Sequence, residues 1–460
     1  MRSMGTGRPI LRKLCAVAGV VLLPLTAAAC GGGSDSSGTS GTINYWLWDS
    51  NQQPGYQQCA NDFQAAHPGT TIKITQLGWD DYWSKLTTSF VSGTAPDVFT
   101  NHLGKYGEFV NKKVLLSLDD QVSKDAVDLS VYQAGLADLW VGPDGKRYGL
   151  PKDWDTIAVF YNKKLADEAG VTAEQLAGMT WNPTDGGTYE KVIARLTVDR
   201  NGKRGDEPGF DKTKVKTYGM WLENSGNGVG QTQWSMYAVS NGWQFTDKNP
   251  WGSHYNYDDP KFQNTITWWK SLIDKGYMPP LKATSAGGQS VNWNDMLAAG
   301  KAAMATNGSW MTGQVFGAKS DSFEPAVAPM PAGPSGKRAS MFNGLADSIY
   351  AGTKNKDAAW QWVKYLGSEA CQKVIAEQGV VFPAISSTLE ASTKKFEEKG
   401  VDVSAFTVHV KDQTTFLFPI TDHAAQIEAI MKPAMDAVMN GSAPVSSLTQ
   451  ANEQVNALFG

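Results

Sequence analysis

Ile43-Asn44-Tyr45-Trp46-Leu47-Trp48-Asp49-Ser50 and Thr71-Ile72-Lys73-Ile74-Thr75-Gln76-Leu77 are two short runs rich in β-branched and aromatic residues, and the stretch between them, from Pro54 to His67-Pro68-Gly69, carries apolar residues at helical spacing. That order predicts strand, helix, strand. Beyond it, Asp80 or Asp81 is placed to cap a second helix, with Tyr82, Leu86 and Phe90 on one stripe and Gly93 as its stop; Pro96-Asp97-Val98-Phe99 then opens a third strand. Strands and helices alternating at this spacing predict a parallel α/β unit, whose ligands bind beyond the carboxyl ends of its strands. Trp48, Asp49, Ser50 and Asn51 occupy such a place.

Downstream, Lys146-Arg147-Tyr148-Gly149-Leu150-Pro151 leads into an extended run from Thr156 to Tyr161, which reads as a crossing strand. Loop-rich and aromatic segments follow. Asp258-Asp259-Pro260 opens a periodic helix containing Phe262, Ile266, Trp269 and Ile273, and a further helix runs from Asp422 with Ile427, Ile430 and Met435 inward and Gly441 as a stop.

Upstream, Arg2, Arg8, Arg12 and Lys13 precede an apolar run from Leu14 to Leu25 that closes on Thr26-Ala27-Ala28-Ala29-Cys30. The run falls short of the roughly 20 residues that span a bilayer, so residues 1–29 read as a secretion signal. The small residues before Cys30 resemble the lipobox of bacterial lipoproteins, with Ala27 where an aliphatic residue is usual. The resemblance implies cleavage before Cys30 and a lipid on its sulfur; the alternative is an ordinary secreted protein. Residues 30–41, nearly all Gly, Ser and Thr, read as a flexible tether.

The whole chain has 460 residues, 41 Lys and Arg against 45 Asp and Glu, and a net charge of −4, which becomes −8 once the four basic residues of the signal are removed. That balance excludes a typical nucleic-acid binder, and 41% hydrophobic residues exclude wholesale disorder. Seventeen Trp and fifteen Tyr exceed the needs of a minimal core. After export, Cys59 and Cys371 remain as a candidate disulfide in an oxidising compartment, with two buried free thiols as the alternative.

Enzyme chemistry leaves little trace. The five His residues are scattered with no metal-ligand spacing, and Gly226-Asn227-Gly228-Val229-Gly230 is followed by Gln231, so it misses the dinucleotide fingerprint. Asp199, Asn201, Asp206 and Asp211 alternate as oxygen ligands of a calcium loop do, but Lys203 breaks the pattern and no Glu closes it. An Asx-rich turn is the competing reading.

Several further segments act together: Ser92-Gly93-Thr94-Ala95-Pro96-Asp97-Val98; Gly149-Leu150-Pro151 with Tyr161-Asn162-Lys163; Gly300-Lys301-Ala302-Ala303-Met304-Ala305 with Gly308-Ser309-Trp310; and Asn343-Gly344-Leu345 with Lys354-Asn355-Lys356-Asp357-Ala358-Ala359-Trp360. In this order, behind Ile43 to Ser50, they resemble the extracellular solute-binding proteins of bacterial carbohydrate importers, the maltose-binding-protein-like family. The resemblance implies a two-lobed periplasmic-binding-protein-like α/β fold of type II with crossing hinge strands, the first lobe from 42–152 and 340–387 and the second from 153–339 and 388–460. It implies a carbohydrate in the interlobe cleft, permease subunits of an ATP-driven importer as partners, a monomer lipid-anchored on the outer face of the cell membrane, no cofactor and no catalysis. The ligand contacts it carries over are Trp48, Asp49, Asn101, His102, Trp154, Asp155, Trp234, Trp310, Asn343 and Gly344. Indole rings that pack on sugar CH faces and fixed polar groups that bond hydroxyls suit such a cleft. A glycan-processing enzyme and a receptor for a peptide or polyamine are the alternatives.

Overall fold

A computed structural model describes residues 41–286 and 289–460. The secretion signal, the lipidation candidate Cys30 and the tether through Ser40 lie outside the described residues. The strands, in chain order, are β1 (Gly41–Leu47), β2 (Thr70–Gln76), β3 (Val98–His102), β4 (Leu150–Asp155), β5 (Ile157–Asn162), β6 (Val198–Asp199), β7 (Val215–Met220), β8 (Ser285–Ala286), β9 (Gln289–Ser290), β10 (Ala302–Gly308), β11 (Pro325–Ala328), β12 (Ser340–Ile349), β13 (Phe382–Pro383) and β14 (Thr415–Leu417). They form two main sheets. One runs β13-β4-β12-β3-β1-β2 with β14 beside the start of β12; the other runs β11-β5-β10-β7-β6.

The amino-terminal unit has the alternation read from the sequence. β1 pairs in parallel with β2, Ile43 opposite Ile72, and with β3, Tyr45 opposite Val98. Helices Gln53–Ala66 and Trp79–Ser92 connect them, and the second ends at Gly93, whose φ of 70° suits glycine. Its N-cap is Gly78 rather than Asp80 or Asp81; both acids lie in the first turn, where they face the positive end of the helix dipole.

Two crossings join the sheets. β4 passes through Thr156 into β5, and the chain returns into β12, all ten residues of which are buried. Ser340 pins one crossing to the other: its hydroxyl donates to the Ile157 carbonyl and accepts from the Ile157 N–H, both at 2.8 Å. The first sheet extends further than the expected boundaries. It keeps β4 through Asp155, and it receives β14 from the 388–460 segment, so that segment is divided rather than wholly in the second lobe.

Most of the tryptophan surplus is core. In the second lobe Trp181, Trp234, Trp243, Trp268 and Trp269 pack with Tyr189, Tyr237 and Phe262. In the first, Trp360 and Trp362 pack with Tyr45, Tyr56 and Phe63. A separate cluster behind the hinge joins Trp154 and Phe382 to Phe160, Trp293 and Phe406 from the other side.

Cys59 and Cys371 are bridged, with Cα atoms 5.3 Å apart, tying helix Gln53–Ala66 to helix Glu369–Gln378 across 312 positions. Replacing both by Ser is expected to lower stability by about 2–4 kcal/mol, because the unfolded chain regains the entropy of a long open loop. Denaturant titration of the double variant against the oxidised protein checks this; equal midpoints would refute it.

Candidate functional site

A cleft of about 680 Å³ has one wall from each sheet. The first wall is Trp79, Asp80 and Trp83 from the start of helix Trp79–Ser92, His102 at the end of β3, and Lys105 from helix Leu103–Asn111. The second is the loop Glu223–Gln233 beyond β7, Asn307 at the end of β10, and Trp310 just after it. Phe418, Thr421, Ile427 and Glu428 complete the lining. The strand-end groups stand beyond carboxyl ends, where an α/β sheet leaves backbone and side chains free for ligand.

The first wall is an aromatic assembly. Trp79 and Trp83 lie 5.4 Å apart at 80°, and Trp48 packs on both, at 5.2 and 5.3 Å between ring centroids. Edge-to-face packing of this kind fixes ring positions beyond what area burial alone does. Trp79 is 44% exposed, so part of its ring is open to solvent. His102 closes the group at 5.4 Å from Trp79; its Nδ1 accepts the Gly104 N–H at 3.0 Å, so its proton sits on Nε2, and burial lowers its pKa to about 3. It is a neutral group at any physiological pH.

On the second wall two indoles depend on glycine. A Cβ at Gly308 would fall 1.8 Å from the Trp310 ring, so that ring lies across bare backbone. Cβ atoms at Gly226 or Gly230 would come within 2.3 or 2.4 Å of Trp234, and both residues have positive φ. Trp234, fully buried, is the bed beneath the glycine-rich loop. That loop carries Glu223, whose Oε2 accepts from Thr232 Oγ1 at 3.1 Å and whose pKa burial raises.

A family model for bacterial extracellular solute-binding proteins matches residues 49–373. The chain belongs to that family. A galactooligosaccharide-binding protein of Bacillus subtilis is 26% identical over 442 residues, 93% of each chain, and a maltodextrin-binding protein of the same organism is 22% identical over 452 residues, 98% of this chain and 97% of that one. Among solved structures, M. tuberculosis UspC superimposes with a TM-score of 0.69 at 26% identity, covering 90% of this chain and 99% of that one. A Listeria monocytogenes ABC substrate-binding protein in complex with cycloalternan gives 0.76 at 19% identity over 91% and 99% and shares the fold. These relatives are binding proteins, and the fold is the two-lobed one that the family implies.

Of the ligand contacts expected from sequence, His102 and Trp310 line the cleft. Trp48 stands behind Trp79 and Trp83. Asp49 accepts the Asn51 N–H at 2.8 Å, and burial raises its pKa. Four expectations are corrected. Asn101 belongs to β3 itself, fully buried, donating to Ser348 Oγ at 3.1 Å, because the strand runs two residues past Phe99 and Thr100. Trp154 points away from Asp153 and Asp155 by strand alternation and stacks on Phe382 at 4.6 Å. Trp234 is core. Gly344 lies inside β12, where a Cβ would meet Leu136 at 2.7 Å. Asn343, opposite Asp155 in register, keeps a buried Oδ1 without a partner. Asp155 accepts from Ser309 Oγ at 2.9 Å and so ties the crossing to the residue before Trp310. Burial pushes its pKa up to about 7, the Ser309 bond opposing and Asp49 reinforcing that shift.

The calcium reading falls away. Asp199 Oδ1 accepts the N–H groups of Asn201 and Lys203, its Oδ2 that of Asp211, and Asp206 faces Arg195, so the turn is closed by its own backbone. Sequence reasoning missed Trp79, Trp83, Glu223, Gln233 and Asn307. The spacing of four between Trp79 and Trp83 at a helix start was the available signal for the first pair.

At the hinge, β4 carries a bulge between its pairings to Leu345 and Ala346, and Lys152 occupies it. Lys152 Nζ donates to Tyr45 Oη and Thr100 Oγ1, both at 2.8 Å, and lies 4.0 Å from Asp347. The next residue, Asp153, is fully buried with neither oxygen hydrogen-bonded. Its strand neighbour is Pro383, which has no N–H to offer. Burial, then Asp155, drives its pKa well up, so the folded protein holds a proton that the unfolded chain releases near pH 4. Stability therefore falls as pH rises above that point, by up to about 1.4 kcal/mol per unit while the proton is retained. Asp153→Asn removes this slope. Its melting temperature relative to the parent is expected to climb from pH 5 to pH 8, and a constant difference would refute the assignment.

Proposed function

We propose that the protein is a lipid-anchored extracellular receptor that binds a di- or oligosaccharide in its interlobe cleft and delivers it to an ATP-driven membrane importer. The observation that carries this is a cleft with indoles on both walls, Trp79 and Trp83 on one and Trp310 on the other, set among Glu223, Asn307 and Asn227. Rings on opposite walls stack on the two faces of a sugar chain while amides and carboxylates bond its hydroxyls. A ligand touching both walls favours the closed arrangement by that differential contact. The names of relatives, which bind galactooligosaccharide or maltodextrin, agree with the reading. Anchoring rests on Cys30 and the tether behind it.

Thermal-shift screening across neutral oligosaccharides, peptides and polyamines is expected to raise the melting temperature with an oligosaccharide. Trp310→Ala should weaken that binding by at least about tenfold, the weight of one stacked ring, while the unliganded protein still unfolds cooperatively. Parental affinity in the variant, or turnover of the glycan by the purified protein, would overturn the reading. Cys30→Ala is expected to move the protein from the membrane fraction to the medium; retention at the membrane would refute lipid anchoring.

A further inference from the structure

Glu223 is unusual among the charged groups of the cleft. Lys105 acts electrostatically on Glu428, as does Lys432, so Glu428 has cations within reach. Glu223 has no such cation acting on it: burial and the Thr232 hydroxyl bond are what shift its pKa. Its Oε2 takes the Thr232 hydroxyl at 3.1 Å and Gln233 Nε2 at 3.4 Å, while no described residue donates to its Oε1.

Gln233 sharpens the chemistry. It lines the cleft, is 2% exposed, and turns its Nε2 toward Glu223 Oε2 and Thr232 Oγ1, the latter at 3.2 Å. A carboxylate cannot donate, so these bonds settle which end of the amide faces Glu223. The other end, Oε1, is buried without a partner. Thr306 Oγ1 holds the Thr232 carbonyl, which keeps this corner on the second sheet. Gln233 Nε2 joins the two side chains, and among the described residues neither Glu223 Oε1 nor Gln233 Oε1 has a protein donor. An unpartnered buried acceptor is costly, and a carboxylate with no cation beside it favours a ligand that brings donors and positive charge.

We propose that this corner is a subsite for a protonated amine, and that the receptor prefers a glycan with a free amino group over its neutral or anionic counterparts. The inference rests on the receptor reading above. An ammonium group has three donors and no acceptor, so it bonds the Glu223 carboxylate, neutralises it and keeps donors for other acceptors in the corner; a hydroxyl has one donor and leaves the charge uncompensated. An N-acetyl group at the same position removes the charge, and a uronate sets a second carboxylate near the first.

The test is calorimetric titration of the tethered receptor domain carried by the full mature chain, at pH 6.5 and low salt, with matched glycans that differ at one ring position: hydroxyl, free amine, or acetamide. The amine form is expected to bind at least tenfold more tightly than its hydroxyl match, with the advantage shrinking as sodium chloride is added. In Glu223→Gln the ratio of the two dissociation constants is expected to fall toward one. Equal affinity of amine and hydroxyl forms in the parent protein overturns this inference and leaves the receptor reading standing. Absence of binding by every glycan of both kinds overturns both. The parent comparison decides the question even where Glu223→Gln does not fold.

Discussion

One buried ammonium group holds the first lobe and the hinge together. Lys152 leaves the bulge of β4 and reaches Tyr45 on β1 and Thr100 on β3, while both of those hydroxyls bond Asp347 on β12. Four strands of one sheet are thereby tied through a single charge. The Nζ also lies 3.7 Å from the centre of the Tyr56 ring, so helix Gln53–Ala66 shares it. A buried charge is tolerated only when fully partnered, and here the partners come from strands that must be in register for the bonds to form. The crossing strand that leads to the second lobe is therefore locked to the sheet it leaves.

The cleft inherits its geometry from that lock. Asp155, three residues after Lys152, bonds Ser309, and Ser309 precedes Trp310. One wall is thus positioned from the hinge outward. The opposite wall is set by ring packing, with Trp48 holding Trp79 and Trp83 from behind. The two walls use different physics: a hydrogen-bonded chain along crossing strands on one side, and mutual aromatic packing on the other. Both leave a ring face open where the strands end.

Polar groups are distributed unevenly over the two walls of the cleft. The first wall offers indoles, a neutral His102 and Lys105; the second offers Glu223, Gln233 and Asn307. Indoles stand on both walls, but the amide and carboxylate acceptors Glu223, Gln233 and Asn307 are gathered on the second. That asymmetry follows from local sequence. Helix starts can present Trp at a spacing of four, whereas the loop from Glu223 to Gln233 needs Gly226 and Gly230 to lie flat on Trp234 and so brings short polar groups to the surface.

Alternating strand and helix patterns from Ile43 to Phe99, the crossing at Pro151 to Tyr161 and the capped helix at Asp259-Pro260 were legible because periodicity and capping are local properties of the chain. So was the candidate bridge of Cys59 with Cys371, given an oxidising compartment, whereas Trp310 was implied only by the family resemblance. The chain alone did not determine which tryptophans face the cleft. Trp154 and Trp234 sit in motifs as suggestive as that of Trp310, yet one stacks on Phe382 and the other lies under a loop, since the side of a strand a ring occupies depends on register and on what packs against it. The bulge at Lys152 is of the same kind: one extra residue re-aims a side chain, and no pattern in the sequence marks it. Glu223 and Gln233 became neighbours of a cleft only when β7 and β10 came side by side in the second sheet, a pairing over more than eighty positions. Sequence determined the elements and the order of the lobes; tertiary packing decided which polar groups were left without partners, because an unsatisfied atom is defined by everything that surrounds it.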